Sequence, residues 1–126
     1  MLKSAAIVTG AARHLDLLPN LTAETRVWPI PFADGIEPLL ALRGRSVVIL
    51  ASGDPFWFGA GSVLARHLER TEWQALPASS VASHAAAHLG WPLEKTPVFG
   101  LHAAPLQRLR PALYAGARLL VLLRDG

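Results

Sequence analysis

Short apolar runs alternate with segments of helical periodicity along this chain. Residues 5–9 (Ala-Ala-Ile-Val-Thr) read as a strand closed by Gly10, and residues 12–18 as a short helix stopped at Pro19-Asn20. Residues 26–28 read as a short strand before Pro29-Ile30-Pro31, where two prolines forbid a central position in a sheet. Asp34-Gly35 opens a helix with Ile36, Leu39, Leu40 and Arg43 on one face, and Gly44 stands where a C-terminal glycine belongs. Residues 47–51 (Val-Val-Ile-Leu-Ala) form the clearest strand. They are apolar throughout, the pattern of a parallel strand covered on both faces. After a loop over 52–59, residues 61–70 predict a helix with Val63, Leu64, His67 and Leu68 on a common face. Residues 73–76 predict a strand, 80–89 an alanine-rich helix ending at Gly90-Trp91-Pro92, and 98–99 a brief strand. Pro105 fits the first turn of a helix to about Tyr114, and residues 119–123 form a last strand.

This alternation defines an α/β fold with a mostly parallel sheet flanked by helices. Right-handed crossovers in such a fold place functional loops at the carboxyl ends of the strands. Two loops qualify, residues 52–61 and residues 77–81.

Composition narrows the function classes. The 126 residues suit one domain or a piece of a larger protein. At 52% hydrophobic, the chain has enough apolar material for a core and does not read as disordered. With no Cys, a disulfide framework, a thiolate metal site and a cysteine nucleophile are all excluded. The net charge of +3 comes from arginines scattered from Arg13 to Arg124, not from a patch, so nucleic acid is not an expected partner. No segment approaches the ~20 apolar residues of a membrane span, and the N-terminus lacks the ~7–15-residue apolar stretch of a signal peptide. The expectation is a soluble cytoplasmic protein with no membrane partner.

The loop Ser52-Gly53-Asp54-Pro55-Phe56-Trp57-Phe58-Gly59-Ala60-Gly61 carries the most chemical information. Gly53 permits an unusual backbone conformation or close approach by a ligand. Asp54 before Pro55 is a turn opener. Three consecutive aromatics require something to cover, either a core, a partner or a flat ligand. The Gly-x-Gly at 59–61 lacks the third glycine of the dinucleotide fingerprint, and no P-loop lysine follows. In the second loop, Ser79 or Ser80 is a good N-cap, and either hydroxyl could also touch a ligand. His84 and His88 share a helical face, but only alanines intervene and no third ligand is evident, so no metal site is expected. His14, His67 and His102 are dispersed, and no catalytic residue is assigned.

Residues 47–59 resemble the strand and Gly-Asp-Pro loop of the tetrapyrrole methylases. Pro77-Ala78-Ser79-Ser80, followed by Ala85-Ala86-Ala87-His88-Leu89-Gly90-Trp91-Pro92, is similar to that superfamily's next signature. Arg13-His14-Leu15 and the Leu-Gly-Trp-Pro ending resemble one branch, the precorrin-6Y C5,15-methyltransferases, in its N-terminal, C5-methylating part. The resemblance implies S-adenosyl-L-methionine as methyl donor, a precorrin as acceptor, and a role in cobalamin biosynthesis. It implies donor contacts at Ser52, Gly53, Asp54, Trp57, Ser80 and Val81. It also implies that residues 1–117 are an incomplete N-terminal α/β subdomain and that 118–126 begin a second one. The expected consequences are an exposed sheet edge, an incomplete cleft and little activity of this stretch alone. The family's His-Gly-Arg reads His102-Ala103-Ala104 here, which removes a cation suited to substrate carboxylates. Two other readings stay open: a related methylase with another substrate, and a non-catalytic α/β module that assembles with itself or a complementing chain through Phe56-Trp57-Phe58.

Overall fold

The computed structural model describes residues 2–18, 20–102 and 104–123. The chain packs as two compact units, residues 1–78 and 79–126.

The first unit holds strands β1 (Ile7–Gly10), β2 (Glu24–Val27) and β3 (Val47–Ile49), with helices α1 (Ala12–Leu15), α2 (Ile36–Leu40) and α3 (Ala60–Leu64). Its sheet runs β2-β1-β3, parallel throughout, with Ile7 opposite both Glu24 and Val47. The central strand is β1, whose four residues are all buried, with Ile7 and Val8 at 0% exposure. The continuous apolar pattern of residues 47–51 pointed instead to β3 as the strand covered on both faces. β3 is only half-buried, because β1 is its one ladder partner among the described residues and its remaining surface lines a groove. β2 is exposed along its length, the edge position that the following prolines require.

Gly10 controls how β1 and β3 leave the sheet. A Cβ at Gly10 would stand 2.8 Å from the Leu50 Cβ, so only glycine admits this approach. The Leu50 N–H donates to the Thr9 carbonyl at 2.7 Å, extending the β1–β3 pairing by one bond. The carboxyl ends of the two strands therefore finish side by side.

The second unit holds α4 (Val81–Leu89), β4 (Val98–Gly100) and β5 (Leu120–Leu122). β4 and β5 pair in parallel, Val98 opposite Leu120. Ala82, Ala86 and Leu120 form a small core, with Trp91 and Val98 packed on it. Both ends of α4 follow their local signals. Ser80 Oγ accepts from the Ser83 N–H at 3.1 Å, and Gly90 ends the helix at φ +64°.

Three expected elements differ. The helix over 61–70 stops at Leu64, and a separate 3₁₀ turn forms at Arg70–Glu72. There Glu69 and Glu72 make a reciprocal capping box, which starts a new turn in place of continuing the old one. Residues 73–76 join no ladder among the described residues. The Arg70 guanidinium lies 4.6 Å over the Trp73 ring, and Phe56 packs 5.3 Å from it. These contacts tie the segment to the turn and the aromatic loop. The helix expected from Pro105 to about Tyr114 is a 3₁₀ segment, Leu106–Ala112, whose interior Pro111 would set its ring against the Gln107 carbonyl in an α-helix.

Arg43, just past α2, grips the Arg70–Glu72 turn. Its Nε and a terminal nitrogen donate to the two carboxylate oxygens of Glu72 at 2.7 and 3.1 Å, and it also donates to the His67 carbonyl at 3.1 Å. The Arg43 hydrogen bond, followed by one from the Glu69 backbone N–H, holds the Glu72 carboxyl below its ordinary range. A carboxyl depressed in the folded state adds stability above its unfolded pKa, and that stability is lost as pH falls through the folded value. Glu72→Gln is therefore expected to lower stability at neutral pH and to flatten the acid limb. Urea unfolding at neutral and acidic pH reads this; an acid limb as steep as that of the parent chain would contradict it.

Candidate functional site

Residues 52–61 leave the carboxyl end of β3 and fold back on themselves through backbone contacts. Gly53 sits at φ +58°, in the left-handed region that glycine enters freely. Asp54 Oδ1 accepts from the Phe56 N–H at 2.8 Å, and its carbonyl accepts from the Trp57 N–H at 3.1 Å. Asp54 is thus the turn former that its position before Pro55 predicts. The loop closes where the Gly61 N–H donates to the Pro55 carbonyl at 2.8 Å. Cβ atoms at Gly59 and Gly61 would stand 2.6 and 2.7 Å from that same oxygen. The Gly-x-Gly serves this close packing.

The three aromatics do not enter a core. Phe56, Trp57 and Phe58 remain 43%, 45% and 48% exposed. Phe56 leans on Trp73, and Trp57 meets Phe58 edge-on at 5.5 Å.

Ser52, Gly53, Asp54 and Trp57 therefore share one loop at one strand end. Two residues left out of the expected set join them. His14 Nε2 lies 2.8 Å from Ser52 Oγ, and an Arg13 guanidinium nitrogen donates to the same oxygen at 3.3 Å. The parallel β1–β3 pairing makes this meeting possible, since α1 leaves β1 where Ser52 leaves β3. The available signal was the Arg13-His14-Leu15 string directly after an apolar strand. His14 Nδ1 is buried without a partner among the described residues.

An open, mainly apolar groove of about 820 Å³ lies beside this loop, within the range of small-molecule sites. β3, Gly53, Phe56, Leu64, Trp73 and Leu76 line it. The Trp73 indole N–H is buried with no acceptor among the described residues.

Ser80 and Val81 belong to the second unit. Ser80 caps α4 and also meets the Ser83 hydroxyl at 3.0 Å, while Val81 is exposed. His84 and His88 lie on α4, and no group of three His, Asp or Glu side chains gathers among the described residues. No helix among them is long and apolar enough to cross a membrane. In the His102-Ala103-Ala104 string, Ala103 lies outside the described residues.

A glycine-containing turn at the carboxyl end of a parallel strand, beside an apolar groove, is the position at which α/β domains take small ligands. The family profile of the tetrapyrrole (corrin/porphyrin) methylases matches residues 1–126, and the chain belongs to that family. It is 43% identical over its whole length to a precorrin-6Y C(5,15)-methyltransferase (decarboxylating) of a Sinorhizobium species, covering 31% of that protein. A protein of the same description from Mycobacterium tuberculosis is 34% identical over 98% of this chain, which again covers 31% of its relative. The chain thus spans about a third of the length of these curated relatives. Among solved structures, the cobalamin biosynthesis precorrin-6Y methylase of Archaeoglobus fulgidus superposes with a TM-score of 0.68. That match has 28% identity and covers 94% of this chain and 60% of the other.

The loop's dependence on bare glycines gives a direct test. Gly61→Ala forces a Cβ against the Pro55 carbonyl and is expected to cost about 1–3 kcal/mol, the usual range for overpacking. Amide exchange at Phe56 and Trp57 should accelerate with it. Unchanged stability and exchange would contradict the packing described.

Proposed function

We propose that this chain supplies a methyl-donor site to a methyltransferase that uses S-adenosyl-L-methionine to methylate a precorrin at C5, in cobalamin biosynthesis. The observation that carries the reading is the turn around Gly53 and Asp54, set beside the groove at the end of β3 in a chain of this family. The names of the relatives supply the acceptor and the pathway. A cytoplasmic location accords with that role.

The groove fits an adenosyl ligand. Its apolar wall along β3 suits a purine, and the buried Trp73 N–H has no acceptor among the described residues, one that a ligand nitrogen or oxygen would supply. When bound, S-adenosylmethionine brings an electrophilic methyl on a sulfonium sulfur. Gly53 lets the ligand approach bare backbone. Ser52, Asp54 and Trp57 belong to the same loop but are not among the residues that line the groove, and they are donor contacts by the resemblance. Phe56, Trp57 and Phe58 present exposed apolar surface to a flat macrocycle. By the resemblance alone, Ser80 and Val81 are further donor contacts, and residues 118–126 open a second subdomain. Transfer from a sulfonium depends on holding donor and acceptor in line more than on a strong acid or base. A site of turn, ring and hydroxyl groups is suited to that task.

Calorimetric titration of the intact protein with S-adenosylhomocysteine tests the reading. Saturable binding is expected. Asp54→Ala, which removes the turn and a charged acceptor, should weaken it about tenfold or more. No saturable heat, or an Asp54→Ala variant that binds like the parent, would refute it.

A further inference from the structure

We propose that Arg13 and His14 are positioning residues that fix the Ser52 hydroxyl as an outward-facing hydrogen-bond donor, so that Ser52 binds an acceptor atom of the methyl donor. The proposal rests on the donor-site reading above and extends it to two residues on another strand's exit.

A serine hydroxyl has one hydrogen to donate and two lone pairs to accept with. Arginine can only donate, so the Arg13 contact at 3.3 Å occupies one lone pair of Ser52 Oγ. The His14 contact at 2.8 Å involves Nε2, and its direction depends on where the imidazole carries its proton. Nδ1 is buried and has no partner among the described residues, so it goes unpaired in either tautomer and holds the proton on neither nitrogen. The intrinsic preference of a neutral histidine side chain for a proton on Nε2 therefore sets the direction. With the proton on Nε2, His14 donates to Ser52 Oγ and fills the second lone pair. The Ser52 hydrogen then has no role in this cluster and points to whatever occupies the site. The complementary ligand atom is an acceptor, an oxygen or an unprotonated ring nitrogen, both of which S-adenosylmethionine carries. The arrangement exists before any ligand arrives, so the hydroxyl needs no reorientation on binding.

Two measurements on the intact protein test this. Nitrogen-15 NMR of the imidazole rings, without ligand, is expected to show His14 protonated at Nε2 and bare at Nδ1. The opposite tautomer overturns the proposal. S-adenosylhomocysteine affinity is then compared across variants. His14→Leu should weaken binding about three- to tenfold, the worth of an ordinary hydrogen bond. His14→Gln, whose amide N–H can replace Nε2–H, should stay within about twofold of the parent. In a Ser52→Ala background, His14→Leu should have no further effect. Equal losses for Leu and Gln, or a full His14→Leu loss without the Ser52 hydroxyl, would assign His14 to packing and overturn the proposal. If His14→Leu folds poorly, His14→Asn, too short to reach Ser52, serves as the non-donor variant. A parent chain that takes up no S-adenosylhomocysteine overturns the donor reading and the ligand named here, while the tautomer still decides the hydroxyl geometry.

Discussion

The parallel pairing of β1 with β3 is the constraint on which the site depends. It sets Ile7–Gly10 against Val47–Ile49 in register and ends both strands at one level. Gly10 makes the exit possible, because any larger residue would collide with Leu50. From that level one chain continues into Arg13 and His14 and the other into Ser52, Gly53 and Asp54. The polar cluster around Ser52 Oγ is thus a product of sheet register, assembled from residues nearly forty positions apart.

The same sheet explains the groove. β3 has a ladder partner on one side only among the described residues, so its apolar side chains meet Phe56, α3 and the Trp73 segment across open space. The Arg43–Glu72 contact holds the far wall, and the Gly59 and Gly61 packing on Pro55 holds the near one. The apolar content of the chain is not all core, since Val-Val-Ile-Leu-Ala is half-buried and lines the groove.

Local signals in the sequence were read well where one residue decides the outcome. Ser80 and Gly90 bound α4, Pro29 and Pro31 keep β2 at an edge, and Asp54 turns the loop. Local pattern misleads where a contact distant in sequence outweighs it. The helix after Gly61 looked longer than it is because Arg43 and the Glu69–Glu72 capping box hold a separate turn beyond it. Residues 73–76 looked like a strand, but Arg70 and Phe56 hold the Trp73 ring. β3 looked more deeply covered than β1 because apolar content does not reveal which strand has two neighbours. The turn at Gly53 and Asp54 was legible in the Gly-Asp-Pro string, while donor contacts at Ser52, Gly53, Asp54 and Trp57 come from family likeness alone. Arg13 and His14 were not, because nothing within their own segment indicates which strand lies beside β1.

The proposed methyl-donor site lies at the end of β3 and in the groove beside it. Backbone and indole chemical-shift mapping of the intact protein, titrated with S-adenosylhomocysteine, tests it most directly. The largest shifts are expected on Gly53, Asp54, Trp57 and the Trp73 indole N–H. Saturable binding whose shifts bypass all four would contradict it.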